Sequence, residues 1–200
     1  MSVTVNGYAG DMGRWQPDSR GRLQEAALSL YAERGFDQTT AAQIAERAGV
    51  TERTFFRHFA DKREVLFGGT AILQERLVAG VAAAPPQAGP LDAVAGGLQA
   101  AAEMLGAFRR DLSRQRQAVI AATPELRERE LAKLADYATA VAATLRERGV
   151  GEPQATFAAE AGMTVLRVTL QRWSSADDAR GLSAVMSASL DELRTLVAGG

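Results

Sequence analysis

Two arginines four residues apart, Arg53 and Arg57, with Thr54 between them, are the groups in this chain best suited to reading a patterned polar surface. A guanidinium presents a planar fork of donors that fits the O6 and N7 acceptors of guanine, and a threonine methyl fits the methyl of thymine. Phe55 and Phe59 are also four apart. On a helix they would share one buried face, which turns Glu52, Arg53, Thr54 and Arg57 outward. Thr51 stands where the N-cap of that helix belongs. The plainer alternative for each polar side chain is a solvated surface.

The residues just before supply a second short helix to brace the first. Thr40, with Gln43 three positions on, forms a capping box in which two orphan N–H groups are satisfied reciprocally. Ile44, Ala45 and Ala48 make its buried stripe, and small Ala45 lets the two helices cross closely. Gly49 supplies a turn position where a side chain would clash, and Val50 plugs the angle between the helices. This is the spacing of a helix-turn-helix, whose second helix lies in the DNA major groove. Thr39 and Thr40 sit at a helix N-terminus, where free N–H groups and the dipole favour a phosphate.

The run Gly35-Phe36, Thr39-Thr40, Ile44-Ala45, Ala48-Gly49-Val50, Thr54-Phe55-Phe56-Arg57-His58-Phe59 and Lys62 resembles the DNA-binding domain of bacterial TetR-family transcriptional regulators. The resemblance implies a homodimeric, ligand-responsive repressor with double-stranded operator DNA as one partner and a largely apolar small-molecule inducer as the other. It makes Lys62 a phosphate contact. It puts Phe56 where the family often has a tyrosine reaching a phosphate, so here only van der Waals contact to backbone or thymine remains. It places His58 near the DNA backbone, in preference to a buried, hydrogen-bonded histidine. A constitutive DNA-binding regulator whose C-terminal part only dimerises is the alternative.

Composition agrees with an all-α chain, and the resemblance implies an N-terminal three-helix helix-turn-helix domain followed by a C-terminal helical effector and dimerisation domain. The 200 residues are 46% hydrophobic, rich in helix formers, and show no alternating β-branched runs. Net charge is −1. Residues 39–63 carry five cations (Arg47, Arg53, Arg57, Lys62, Arg63) against three acids (Glu46, Glu52, Asp61), an excess too small for a non-specific DNA coater. There is no cysteine and His58 is the only histidine, so no metal site, cofactor or enzyme is expected. With no signal-peptide core and no stretch near ~18 uninterrupted apolar residues, a cytoplasmic protein without a membrane partner is expected.

Along the chain, residues 1–17 read as a mobile arm, in which Arg14 and Trp15 are candidates for the minor groove. Residues 18–64 read as the helix-turn-helix domain. Its first helix runs to Arg34, burying Leu23, Ala26, Ala27, Leu30 and Tyr31, with Phe36 as a core plug. Asp61 is expected to cap one continuous connecting helix to about residue 81, with Val65, Leu66, Ile72, Leu73, Leu77 and Val78 along it. Residues 65–200 read as the ligand-binding and dimerisation domain.

In that domain Met104, Leu105, Phe108, Leu112, Val119, Tyr137, Met163, Leu166 and Trp173 could line a cavity, with Arg116 beside them. An ordinary packed core has the same periodicity. Two amphipathic helices, Pro153 to about Trp173 and Asp177 to Val197, match the pair that builds a four-helix dimer bundle in the family. Their candidate interface residues are Phe157, Val165, Val168, Leu182, Val185, Met186, Leu190 and Leu193. Residues 114–174 also look similar to actinobacterial TetR-like regulators answering to acyl-CoA-like ligands. That similarity implies that the cluster Arg109, Arg110, Arg114 and Arg116 holds phosphates; a solvated helix face is the alternative.

Overall fold

The computed structural model describes residues 19–107, 109–175 and 180–199. The N-terminal arm with Arg14 and Trp15, Phe108, and the start of the last helix at Asp177 lie outside the described residues. Among those described there are nine α-helices and no strand. They are α1 (Ser19–Arg34), α2 (Ala41–Arg47), α3 (Glu52–His58), α4 (Thr70–Ala82), α5 (Pro90–Gly106), α6 (Arg110–Ala122), α7 (Pro124–Glu147), α8 (Gln154–Ser175) and α9 (Leu182–Ala198).

Local signals position the first three. The Thr40–Gln43 capping box opens α2 in both directions, and the Thr51 hydroxyl accepts from the Thr54 N–H to open α3. Between them Gly49 takes φ +67°, a left-handed conformation that a Cβ disfavours, while Val50 N–H donates to Ala45 O at 2.9 Å. Leu23, Ile44, Phe55 and Phe59 bury their side chains together. Full burial of a residue such as Phe55 contributes roughly 1.5–3 kcal/mol.

The expected continuous helix from Asp61 is not what forms. Asp61 does cap the N–H groups of Arg63 and Glu64, but residues Glu64–Phe67 make a 3-10 turn, and α4 starts afresh at Thr70. Two causes are visible. The Val65 and Leu66 carbonyls accept from the side chains of Gln24 and Arg116, and a Cβ at Gly68 would come within 2.8 Å of the Phe59 ring. Val65, Leu66 and Phe67 consequently belong to the head's core, and Ile72 is exposed. Glu64–Ala82, with a hydropathy of 1.3, is the one described stretch apolar enough by composition to cross a bilayer. It is broken at Gly68-Gly69, carries Glu75 and Arg76, and turns Leu77 and Val81 into the core of the body, as a helix of a globular domain does.

That second core joins α4, α5, α7, α8 and α9. The α4–α5 crossing is close enough that a Cβ on Gly80 would lie 2.6 Å from Gly97 Cα. The head is completed from far along the chain: Val119 and Ile120 of α6 and Leu126 of α7 are buried in its core, with Leu112 packed against it.

Candidate nucleic-acid interface

The outer surface of α3 presents Glu52, Arg53, Phe56 and Arg57 to solvent. Thr54 is half-buried, its hydroxyl 3.0 Å from that of Thr51. Arg53, Thr54, Phe56 and Arg57 line an open concavity of about 420 Å³. Neither arginine is drawn into an ion pair or hydrogen bond among the described residues, so both forks are available. Phe56 is 53% exposed, yet its ring is seated edge-on against the buried Phe55, with centroids 5.2 Å apart.

Three other candidates are engaged elsewhere. Thr39 is fully buried and its hydroxyl donates to Gly35 O at 2.9 Å, so it offers nothing to a phosphate. Thr40 is exposed, but its side chain is the α2 cap. The Lys62 ammonium donates to the carbonyls of Phe36, Thr39 and Asp37 at 2.8, 3.0 and 3.4 Å and lies 4.2 Å from the Phe36 ring centre. Lys62 therefore closes the loop between α1 and α2. Tyr31 donates to the Lys62 carbonyl at 2.5 Å; burial first, then the charge of Asp61, pushes its phenol well above the ordinary value and keeps it a donor. His58 is half-buried with Nε2 2.8 Å from the Ser19 hydroxyl.

Further supports carry no local sequence signal. Arg22 donates to Ala48 O at 2.9 Å and steadies the turn. Arg47 makes a two-pronged bond to Glu33, 2.9 Å on each arm, tying α2 to α1. The Arg47 and Ser29 hydrogen bonds hold the Glu33 carboxyl down at about 2.

In the body, the predicted pocket residues separate into two groups. Leu112 and Val119 pack with the head, whereas Tyr137, Met163, Leu166 and Trp173 are buried in the second core, with Leu105 against it and Met104 half-buried. Burial pushes the Tyr137 phenol up to about 12. Two buried hydroxyls in the same region, Thr169 and Ser189, have no hydrogen-bond partner. An open cleft of about 340 Å³ between α5 and α9 is lined by Gly96, Gln99, Ser187 and Arg194 among others.

The arginine cluster beside this core is already occupied. Arg110 and Arg114 donate to Trp173 O and Ser174 O, both at 2.8 Å, where α8 ends and its last carbonyls lack partners. Arg109 pairs with Asp111. Arg116 donates to Leu66 O at 2.9 Å, lies 3.4 Å from Glu130, and covers the Phe67 ring. Of the candidate interface residues, Val165, Leu182, Val185, Met186 and Leu190 are buried in their own chain's core, and Val168 and Leu193 are half-buried. Phe157 is 68% exposed; Leu196 and Val197 near the end of α9 are more so.

Comparison with known proteins gives this geometry its place. The family described as bacterial regulatory proteins, tetR family, matches residues 23–67, the segment that holds α2, α3 and the 3-10 turn. The transcriptional regulator TcmR of Streptomyces glaucescens is 39% identical over 82 residues, which is 41% of this chain and 36% of TcmR. Residues 23–67 are thus similar to the DNA-binding part of the TetR family. The match thus spans about a third of that relative's length. Two solved structures extend the likeness in fold over most of this chain. The fatty acid degradation regulator FadR from Bacillus halodurans superposes with a TM-score of 0.59 at 19% identity, covering 86% of this chain and 96% of that one. The Thermus thermophilus repressor FadR, solved with lauroyl-CoA, has a TM-score of 0.52 at 25% identity, covering 89% and 93%.

Proposed function

We propose that this protein is a TetR-family regulator, a cytoplasmic, homodimeric repressor whose two heads read a near-palindromic operator, with half-sites about 34–36 Å or a multiple apart. The observation that carries this reading is the outer face of α3. Two uncommitted arginines and an exposed aromatic ring stand on a short helix held by two caps and two buried phenylalanines. Arg53 and Arg57 supply bidentate donors for base edges, and Thr40 at the α2 cap lies close to the backbone. Dimerisation uses the exposed surface of α8 and α9, including Phe157, with residues such as Met186 supporting it from within.

The inducer is a largely apolar small molecule that enters the body's core, where Thr169 and Ser189 offer unsatisfied hydroxyls. The lauroyl-CoA bound by the T. thermophilus relative makes an acyl-CoA the first ligand to try. In this chain Arg110 and Arg114 would have to leave the end of α8 to hold its phosphates. Such a move has a route to the DNA. Helix α6 carries both of those arginines in its first half and, from its middle onward, Arg116, Val119 and Ile120, which hold the head. Displacing α6 would therefore re-aim the heads, in preference to a displacement passing along α4 alone. A ligand that prefers the displaced state releases DNA, with a typical coupling of ~1–3 kcal/mol.

The test is selection of bound sequences from a random DNA pool at two salt concentrations, followed by titration of the recovered duplex with lauroyl-CoA and with coenzyme A alone. A palindrome that is released by lauroyl-CoA supports the whole reading. A palindrome indifferent to both ligands leaves a DNA-binding regulator and removes the acyl-CoA assignment. No enrichment from a folded dimer would overturn the DNA reading.

A further inference from the structure

Phe56 is the one apolar group on an otherwise polar, cationic face of α3, and its placement is specific. Its ring is more than half exposed, but the edge-on contact with Phe55 gives it a fixed seat on the core. Arg53 is three residues before it and Arg57 directly after, so the three side chains form one patch around the 420 Å³ concavity. A large apolar ring flanked by two free cations suits a partner that is anionic overall and carries small apolar features within reach. The DNA major groove meets that description, and the apolar feature its base edges carry is the thymine 5-methyl group. A phenylalanine has no hydroxyl with which to bond a phosphate, so the ring gains little from the backbone.

Resting on the proposed DNA reading, we infer that Phe56 is a specificity-determining residue that packs on the methyl group of one thymine in each operator half-site. The geometry sets a second condition. Side chains three or four apart on a helix are about 5–6 Å apart, and bases along a strand rise about 3.4 Å per step. The thymine therefore lies within one or two steps of the guanine read by Arg53 or Arg57. Phe56 and the arginines then recognise the half-site by different chemistry. The arginines sense hydrogen-bond acceptors and respond to salt; the ring senses a methyl group and responds little to salt.

Deoxyuridine differs from thymidine only by that methyl, which makes it the direct probe. The full-length protein is titrated with its selected duplex, then with duplexes in which each thymine in turn is replaced by deoxyuridine in both half-sites. One position should weaken wild-type binding by about fourfold per half-site, the worth of one buried methyl-sized group. Phe56→Ala should bind more weakly and be indifferent to deoxyuridine at that position, while keeping its sensitivity to guanine replacement. Phe56→Leu, which keeps an apolar side chain, should retain part of the discrimination. A thermal melt of each variant checks that the exposed position leaves the fold intact.

The inference is overturned if no thymine position distinguishes deoxyuridine, or if Phe56→Ala keeps the wild-type penalty at every one. It is also overturned if Phe56→Tyr strengthens all sequences equally, since that places the ring at a phosphate. Failure of the pool selection itself would remove the DNA reading and this inference together. A recovered operator that is insensitive to methyl removal would remove only the role of Phe56.

Discussion

The outer face of α3 and the inner face of α6 are both rich in arginine, and they use it in opposite ways. Arg53 and Arg57 reach solvent with their donors uncommitted. Arg110, Arg114 and Arg116 instead hold backbone carbonyls at the end of α8 and in the 3-10 turn. Counting cations would treat the two faces alike. What separates them is whether each guanidinium already has an acceptor within the fold, because a fork so engaged must break those bonds before it can bind an outside anion. The free pair is the proposed interface; the engaged set is internal scaffolding between head and body.

Four measurements would break or sharpen this contrast. Arg116→Ala should have the largest effect. It removes a charged donor from Leu66 O, strands Glu130, and uncovers Phe67, so unfolding in urea should show a loss of about 3 kcal/mol. Stability unchanged within ~0.5 kcal/mol would make Arg116 a surface residue after all. Lys62→Ala should remove about 2 kcal/mol by releasing the loop carbonyls of Phe36 and Thr39, and should weaken DNA binding through the misplaced loop. If DNA affinity alone falls, with a flatter salt dependence and an unaltered melt, Lys62 contacts phosphate directly.

Arg57→Ala should do the reverse of Arg116→Ala. Specific binding should weaken by ~1–3 kcal/mol with discrimination relaxed at one base position, and the urea midpoint should stay put. The smallest effect belongs to Glu33, whose exposed carboxyl sits at about 2, below its ordinary 4.5, because of its hydrogen bonds to Arg47 and Ser29. A depressed carboxylate stabilises the fold fully above about pH 4.5 and loses that contribution as the pH falls toward 2. Wild type and Glu33→Gln should therefore converge in stability across that acid window. The difference at pH 7 should shrink with added salt, since the pair is exposed.

Local chemistry made the head legible. The Thr40–Gln43 box, the Thr51 cap, the turn at Gly49 and the inward Phe55 and Phe59 are each determined by residues within a few positions of one another, and the structure has all of them. Partners distant in sequence were not legible. Those of Lys62 and His58, the loop carbonyls and Ser19, are set by how α1 folds back, whereas Thr39 is held by Gly35 O four residues away. The break after Phe67 depends on Gln24 and on Arg116, which is 50 residues away from Leu66. Val119 and Leu112 have the right periodicity for either core, and only the course of α6 assigns them to the head.

The three side chains that α6 and α7 lend to the head, Val119, Ile120 and Leu126, bear on how the DNA specificity could be moved to another regulator. A graft cut at the end of the 3-10 turn would leave bare the hydrocarbon that those residues cover and sever the bond from Arg116. The portable module is discontinuous: residues 19–67 together with roughly 112–130. On the proposed DNA reading, a chimera that carries both pieces keeps its operator, and one that carries only the first exchanges a reader for an exposed apolar surface.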